Sequence, residues 1–595
     1  MRYLPLLLLF FACSDELLDR TPRNSISPET FFRTEADLEL YTNGLLDIPT
    51  GREIYLSDQS SDNAATTGAV EIKTIMTGSP SSQTLTGGWD WERLREINYF
   101  LANYERAAVP DEVANHYAGL ARLYRAQFYY DKVKRYSDVP YYDEVLNVTD
   151  EELLYKAQDP RTEVVDRILE DLAFAAEHVR EEVPEGTPDR YVALMWQARI
   201  ALHEGTFRKY HPELNLEGTA AAFLELAATA ARKVMESGRF ALYSTGNPEQ
   251  DYLELFVSPS LAGNPEIIQY YWNDFGLGEN ATFRFELQDY ELSPSRDLVQ
   301  AYLTDDGEPF TGQDGYRTAG FVEEFTGRDP RLSQTLAYPG WINFGEGQTT
   351  PYVQELNKNF TGYHLIKGYV NSPDNPTIQS VDVPTIRYAE ALLMFAEARA
   401  ELGELTQGDL DRSINLLRER VGMPPMLLTE VSNDIDPIQQ ARYPEVSGAD
   451  AGAILAVRRE RRIELAFEGH RFDDLMRWHA GNLLEHIPEG IYFPGLGRYD
   501  LTGDGVDDIQ LIGLNETVPE GDAREKNSLG VPLIYYRVGP FGSEATVYLE
   551  NGEQGGPTVT DDAARRFVEP LHYYRPIPFN EVILNPNLSQ PFGWE

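Results

Sequence analysis

Residues Ile454 to Trp478 read ILAVRRERRIELAFEGHRFDDLMRW, and the reading of this stretch decides the fold. It is rich in Arg, Glu, Leu and Ala and carries no proline, so it predicts helix. Wound at about 100° per residue, Ile454, Leu455, Leu465 and Ala466 gather on one side. Arg458, Arg461 and Arg462 fall in or beside the same arc. Arginine on an apolar stripe is costly unless it is paired. The nearest candidate partners lie upstream, in Ile386 to Glu397, IRYAEALLMFAE, where Ile386, Glu390, Leu393 and Glu397 share one stripe. The expectation is two helices packed face to face, with Glu390 and Glu397 paired to arginines among Arg458, Arg461 and Arg462. Glu401 is expected in solvent.

Working outward, Glu35–Leu46, Trp91–Glu105, Val113–Tyr136, Arg161–Arg180, Tyr191–Glu204 and Ala220–Glu236 all read as helices. Several are rich in alanine, which suits close contact between stacked hairpins. Leu410, Ile414, Leu417 and Val421, followed by Gly422 and Pro424, make a further well-punctuated element. Tyr252 to Pro384 and Ile487 to Pro570 break the pattern with Gly, Pro and aromatic residues. The fold class is therefore mainly α, a tetratricopeptide-like array of helical hairpins with large irregular loop and short-strand insertions forming a binding face. The expected divisions are 1–12 (signal peptide), 13–34 (lipidated tether), 35–251 (helical), 252–383 (irregular insertion), 384–486 (helical again) and 487–595 (loop-rich closing region).

The segments RYAEALLMFAEARAELG, INLLRERVGMP and RRERRIELAFEGHRFDDLMRW, in that order, resemble the C-terminal half of the SusD/RagB family. So does the end of the chain, from Arg575-Pro576-Ile577-Pro578 through Asn585-Pro586-Asn587-Leu588 to Gln590. The resemblance implies a surface nutrient-binding lipoprotein of Bacteroidetes, without catalysis, that delivers an oligosaccharide or a peptide to a SusC-like TonB-dependent transporter in the outer membrane. A RagB-like peptide binder and, in a different class, a surface glycoside hydrolase stay open as alternatives.

The N-terminus fits that expectation. An apolar run from Leu4 to Phe11 is too short to span a bilayer, and it is followed by Ala12 and Cys13, the only cysteine. The pattern resembles a lipobox with Cys13 as the lipidated residue, although Phe10 and Phe11 stand where smaller side chains or leucine are usual. One cysteine rules out an internal disulfide. Lys and Arg number 51 against 96 Asp and Glu, a formal net charge of −45, which disfavours nucleic acid and anionic membrane surfaces as partners.

No G-x-S-x-G, Walker loop or H-E-x-x-H occurs. Sugar binding needs flat apolar surfaces flanked by hydrogen-bonding groups. Trp89, Trp272 and Trp341 follow glycine, tyrosine or proline-glycine pairs and are expected on loops, with Asp58, Asp62 and Asn63 of a long early loop as polar contacts. The one metal-like stretch, Asp500 to Asp508, places Asp500, Thr502, Asp504, the Val506 carbonyl and Asp508 at the alternate positions of a calcium loop, with Leu511 where a bidentate glutamate would stand. A structural Ca2+ is the expected occupant; an acidic turn with no ion is the alternative.

Overall fold

A computed structural model describes residues 31–273, 292–373 and 381–594. Cys13 and the tether as far as residue 30 lie outside the described residues. The longer helices of the first half, among the described residues, are α1 (Glu35–Gly44), α2 (Glu92–Leu101), α3 (Asp111–Tyr136), α4 (Arg161–His178), α5 (Arg190–Tyr210) and α6 (Ala220–Met235). Local sequence sets their starts. Thr34 and Asp37 form a reciprocal capping box on α1, and the Asp189 carboxylate accepts from the Tyr191 and Val192 amides at the head of α5. α3 and α4 begin directly after Pro110 and Pro160. Helix α5 runs beyond its expected end at Glu204, because Phe207 and Tyr210 continue its buried face.

α3 packs on α4 and α5 on α6 as hairpins, and α7 (Tyr388–Glu401) lies against α6. α8 (Ala451–Glu464) lies against α7, and α9 (Arg471–Arg477) against α5. This is the expected mainly α, tetratricopeptide-like array. Its contacts are close. A Cβ on Gly205 of α5 would stand 2.9 Å from the Leu224 side chain of α6, so a methyl group there would push the two helices apart.

The two irregular stretches meet in space. They share a second core, in which Leu298, Leu336, Tyr363 and Leu365 meet Ile491, Phe493, Leu511 and Val538. Around it lie antiparallel pairs β1 (Ala64–Ala65) with β3 (Ser293–Pro294), β2 (Ile267–Tyr271) with β4 (Val383–Arg387), and β5 (Glu489–Phe493) with β10 (Gly556–Val559). A four-stranded sheet runs in the order β6 (Gly497–Tyr499), β7 (Ile509–Gly513), β8 (Ile534–Gly539), β9 (Val547–Tyr548), antiparallel at its first pair and parallel at the other two. Past β10 the chain returns to the helical core through Phe567, Tyr573, Tyr574, Ile577 and Leu588.

α7 and α8 pack together and their charges are buried, but the pairing differs from the expected one. Glu390 takes Arg199 of α5, at 2.7 and 2.8 Å. Glu397 takes Arg477 and the Trp478 indole at 2.8 Å each, and reaches Arg461 only at 3.7 Å. Arg461 bonds Asp474 at 2.9 Å. Arg458 pairs with Glu401 at 3.1 Å and lies over the Trp478 ring. Glu401 is thus buried rather than in solvent, because Lys209 and Tyr210 of α5 cover it. Arg462 pairs with Asp297 and Asp62. Helix α5 is the third partner that a two-helix reading left out.

Between the two cores lies a larger ionic network. Glu464 receives Arg331, Arg387 and Arg420 at 2.7 to 3.0 Å. Glu266 receives Arg387 and Arg420, Glu460 receives Arg331 and Arg418, Glu468 receives Arg387 and Lys367, and Asp329 holds Arg331. Burial alone would raise the Glu464 carboxyl, but the three guanidinium groups hold it well below the usual carboxylate range.

Candidate functional site

The residues expected to hold a ligand are not brought together. Trp341 is 7% exposed and packs edge-on to Tyr352 and Tyr369 in the second core. Trp89 is half-buried against α3, with its ring 4.8 Å from that of Tyr136, and Lys132 pins the loop by donating to the Gly88 and Asp90 carbonyls. Trp272 follows β2 and is 49% exposed. Of the three, only Trp272 offers an open face.

Asp58, Asp62 and Asn63 are all buried, a correction to the expectation that their loop faces solvent. The Asp62 carboxylate accepts from Arg471 at 2.7 Å and Arg442 at 2.9 Å, and Arg462 lies 3.3 Å away. Asn63 donates to Asp58 and accepts from Arg462. Asp58 also accepts from the Phe467 amide, yet burial pushes its carboxyl up to about 6. These three residues tie the early loop to α8 and the turn after it. They are structural, with no free polar edge for a sugar.

Two clefts border the irregular segments. One, of about 1270 Å³, lies between residues 303–313, 418–439 and the 452–459 face of α8, with Arg418 and Arg459 among its acidic and aliphatic side chains and no aromatic ring in its wall. The other, of about 770 Å³, combines rings with polar groups. Phe325 and Tyr338 line it beside Glu249, Gln250, Asp305 and Thr502. Burial, then the neighbouring Glu249 carboxylate, push the Tyr338 hydroxyl above its ordinary value. Arg328 also borders this cleft, but its guanidinium donates to the carbonyls of Leu303, Val299, Tyr302 and Glu324 and stacks 3.8 Å over Phe310. Burial brings it down to about 10, and its donors are occupied by the protein. The second cleft therefore offers a partly open ring, carboxylates and an amide, the combination that a pyranose can use. Sequence reasoning chose Trp341 from the run Tyr338-Pro339-Gly340-Trp341. The outward ring is Tyr338, and no local signal separates the two.

The acidic turn forms a wall of the same cleft. A Cβ on Gly503 would stand 3.1 Å from Pro339, and the residue's φ of 76° suits glycine. Asp500 accepts from the Gly503 and Gly505 amides, Asp504 from the Val506 amide, and Asp508 from the Leu501 and Thr502 amides. Leu511 points into the second core. The carboxylates thus cap the turn's own backbone. Asp500, Asp504 and Asp508 do not converge on one point, since the one group of three such ligand side chains within 4.8 Å of one another among the described residues lies elsewhere.

Similarity to known proteins covers most of the chain. SusD-like protein P25 of Formosa agariphila is 24% identical over 537 residues, 82% of this chain and 90% of that protein. SusD-like protein P2 of the same organism is 25% identical over 516 residues, 81% and 90%. A crystal structure of a SusD-like carbohydrate binding protein from Bacteroides fragilis superposes with a TM-score of 0.67 at 23% identity, covering 94% of this chain and all of that one. A laminarin binding SusD-like protein gives a TM-score of 0.54 at 16% identity, again over 94% of this chain. The model of the SusD family matches residues 289–594, over half of the sequence, from β3 through α7, α8 and α9 to the closing segment. The chain belongs to the SusD family.

Proposed function

We propose that this protein is a surface-exposed, lipid-anchored protein of the outer membrane that binds an oligosaccharide and passes it, chemically unchanged, to a TonB-dependent transporter. The observation that carries the reading is whole-length likeness to SusD-like proteins, two of whose solved structures are named as carbohydrate or laminarin binders. The cleft beside Tyr338 and the exposed Trp272 are the surfaces offered to the ligand. No helix among the described residues is long and apolar enough to cross a membrane, so attachment in this reading rests on lipid at Cys13. Stable anchoring then requires more than one acyl chain.

The test is a glycan array, with a peptide array beside it, probed with the full chain lacking only the residues up to Cys13. Saturable glycan binding with no reducing ends appearing over time supports the reading. Turnover assigns an enzyme instead, and peptide binding alone assigns the RagB-like function. On a glycan that binds, Tyr338→Ala or Trp272→Ala is expected to weaken affinity roughly tenfold, about 1.4 kcal/mol. If neither variant changes affinity, the ligand sits elsewhere. Replacing Cys13 by alanine is expected to release the protein from the membrane fraction, and copurification from membranes checks the transporter.

A further inference from the structure

The end of α5, the second residue after α9 and the closing stretch of the chain meet at a cluster that the binding reading leaves unexplained. His211 follows the last turn of α5, and its ring stacks 3.7 Å from that of Phe207. Its Nε2 lies 2.8 Å from the Met476 carbonyl oxygen. A carbonyl only accepts, so Nε2 carries the hydrogen and Nδ1 is left with a lone pair. That lone pair faces the Glu213 carboxylate at 2.9 Å. Two electron-rich atoms at this separation require a cation between them, either a proton or a metal ion.

The surroundings favour a metal. A ring nitrogen of His479 lies within 4.8 Å of both ligand atoms. His479 has a φ of 54°, a left-handed conformation rare for a residue with a side chain. The outer groups are in place as well. The Met476 carbonyl fixes the His211 tautomer, Tyr574 donates to Glu213 at 2.9 Å, and Glu569 stands 3.7 Å from His479 Nδ1. His211 is fully buried, while the Glu213 and His479 side chains are each 14% exposed.

We propose that His211, Glu213 and His479 bind a divalent cation of the zinc class. Two imidazoles and one carboxylate suit that class better than calcium or magnesium, which prefer all-oxygen sets. The ion would staple residues 211–213 to residue 479, and through Tyr574 to the closing segment.

The experiment is titration of Co2+ into the full chain after dialysis against a chelator, read by visible absorption, with zinc content and Tm measured in parallel. Four- or five-coordinate cobalt on imidazole and carboxylate absorbs far more strongly than the hexaaquo ion, so adventitious binding to this acidic surface is distinguishable. The expected result is one strongly absorbing Co2+ per chain, displaced by Zn2+, with a rise in Tm. Glu213→Gln and His479→Gln are expected to weaken binding by at least roughly 10- to 100-fold, the range seen for loss of an outer partner alone. His479 is partly exposed, so its variant carries the test if Glu213→Gln does not fold. A spectrum that stays that of the aquo ion, or binding unchanged in His479→Gln, overturns the proposal and leaves a shared proton between His211 and Glu213.

Discussion

The two halves of this molecule are held together by different means. In the helical half, Leu120, Leu123, Val164, Ile168 and Leu172 sit in a core at the contact of α3 and α4. Buried charges there form small, self-contained sets, such as Arg125 with Asp171, or Arg161 and Arg208 with Glu204. In the irregular half the core is gathered from short segments far apart in sequence, and it is joined to α8 by the connected network of Asp329, Glu266, Glu460, Glu464 and Glu468 with four arginines and Lys367. A helix repeats its apolar face every turn, so packing alone places it. A loop has no repeating face. Guanidinium–carboxylate forks are directional, and they fix a loop's position where apolar contact would let it slide.

The largest effect is expected at Glu464→Ala, which strips a partner from Arg331, Arg387 and Arg420 together. Breaking one buried pair costs about 3–5 kcal/mol, and three cations lose a partner here, so urea melts should show a loss at or above that range. In the helical half, Leu172→Ala should cost about 2–5 kcal/mol as an ordinary cavity. A loss at Leu172 equal to or greater than that at Glu464 would break the comparison.

Acid should act through the same contacts. Burial would raise the Glu204 carboxyl, but Arg161 and Arg208 bring it to about 2, against 4.5 for the free group. The folded value lies below the unfolded one, so this stabilisation is complete above pH 4.5 and is lost as pH falls toward 2. Tm measured against pH should fall less steeply over that window in Glu204→Gln than in the parent chain. Parallel curves would remove Glu204 from the account.

The smallest effect belongs to calcium at Asp500, Asp504 and Asp508, which we keep as a proposal. The turn is already capped by its own carboxylates. Binding at ten times Kd would add about 1.4 kcal/mol. Calorimetry on chelated protein should register heat on calcium addition. Silence there, with the same Tm in EDTA, would leave an acidic turn alone.

The helices were legible because each carries its own stripe and its own stop. Buried glutamates at 390 and 397 were legible for the same reason, since both fall on an apolar face. Their partners were not, because Arg199 lies 191 residues before Glu390 and Arg477 lies 80 residues after Glu397. Asp62 shows the same limit. Its loop reads as polar surface until Arg471, 409 residues away, is placed beside it. Trp341 was misread for a related reason. Gly and Pro mark a turn in the backbone, but whether the next ring faces in or out depends on Tyr352 and Tyr369, which no spacing around Trp341 announces.

The network at the junction sets five carboxylates against five cations, and so contributes no net charge of its own. The chain's formal charge of −45 must therefore be carried outside it. A molecule so charged repels its own copies and any polyanion at a distance of about 10 Å in 0.1 M salt, and farther in dilute medium. A sulfated or uronate-rich chain would meet that barrier before touching any residue, and would bind faster as salt is added. A neutral glucan would approach at the same rate in either medium.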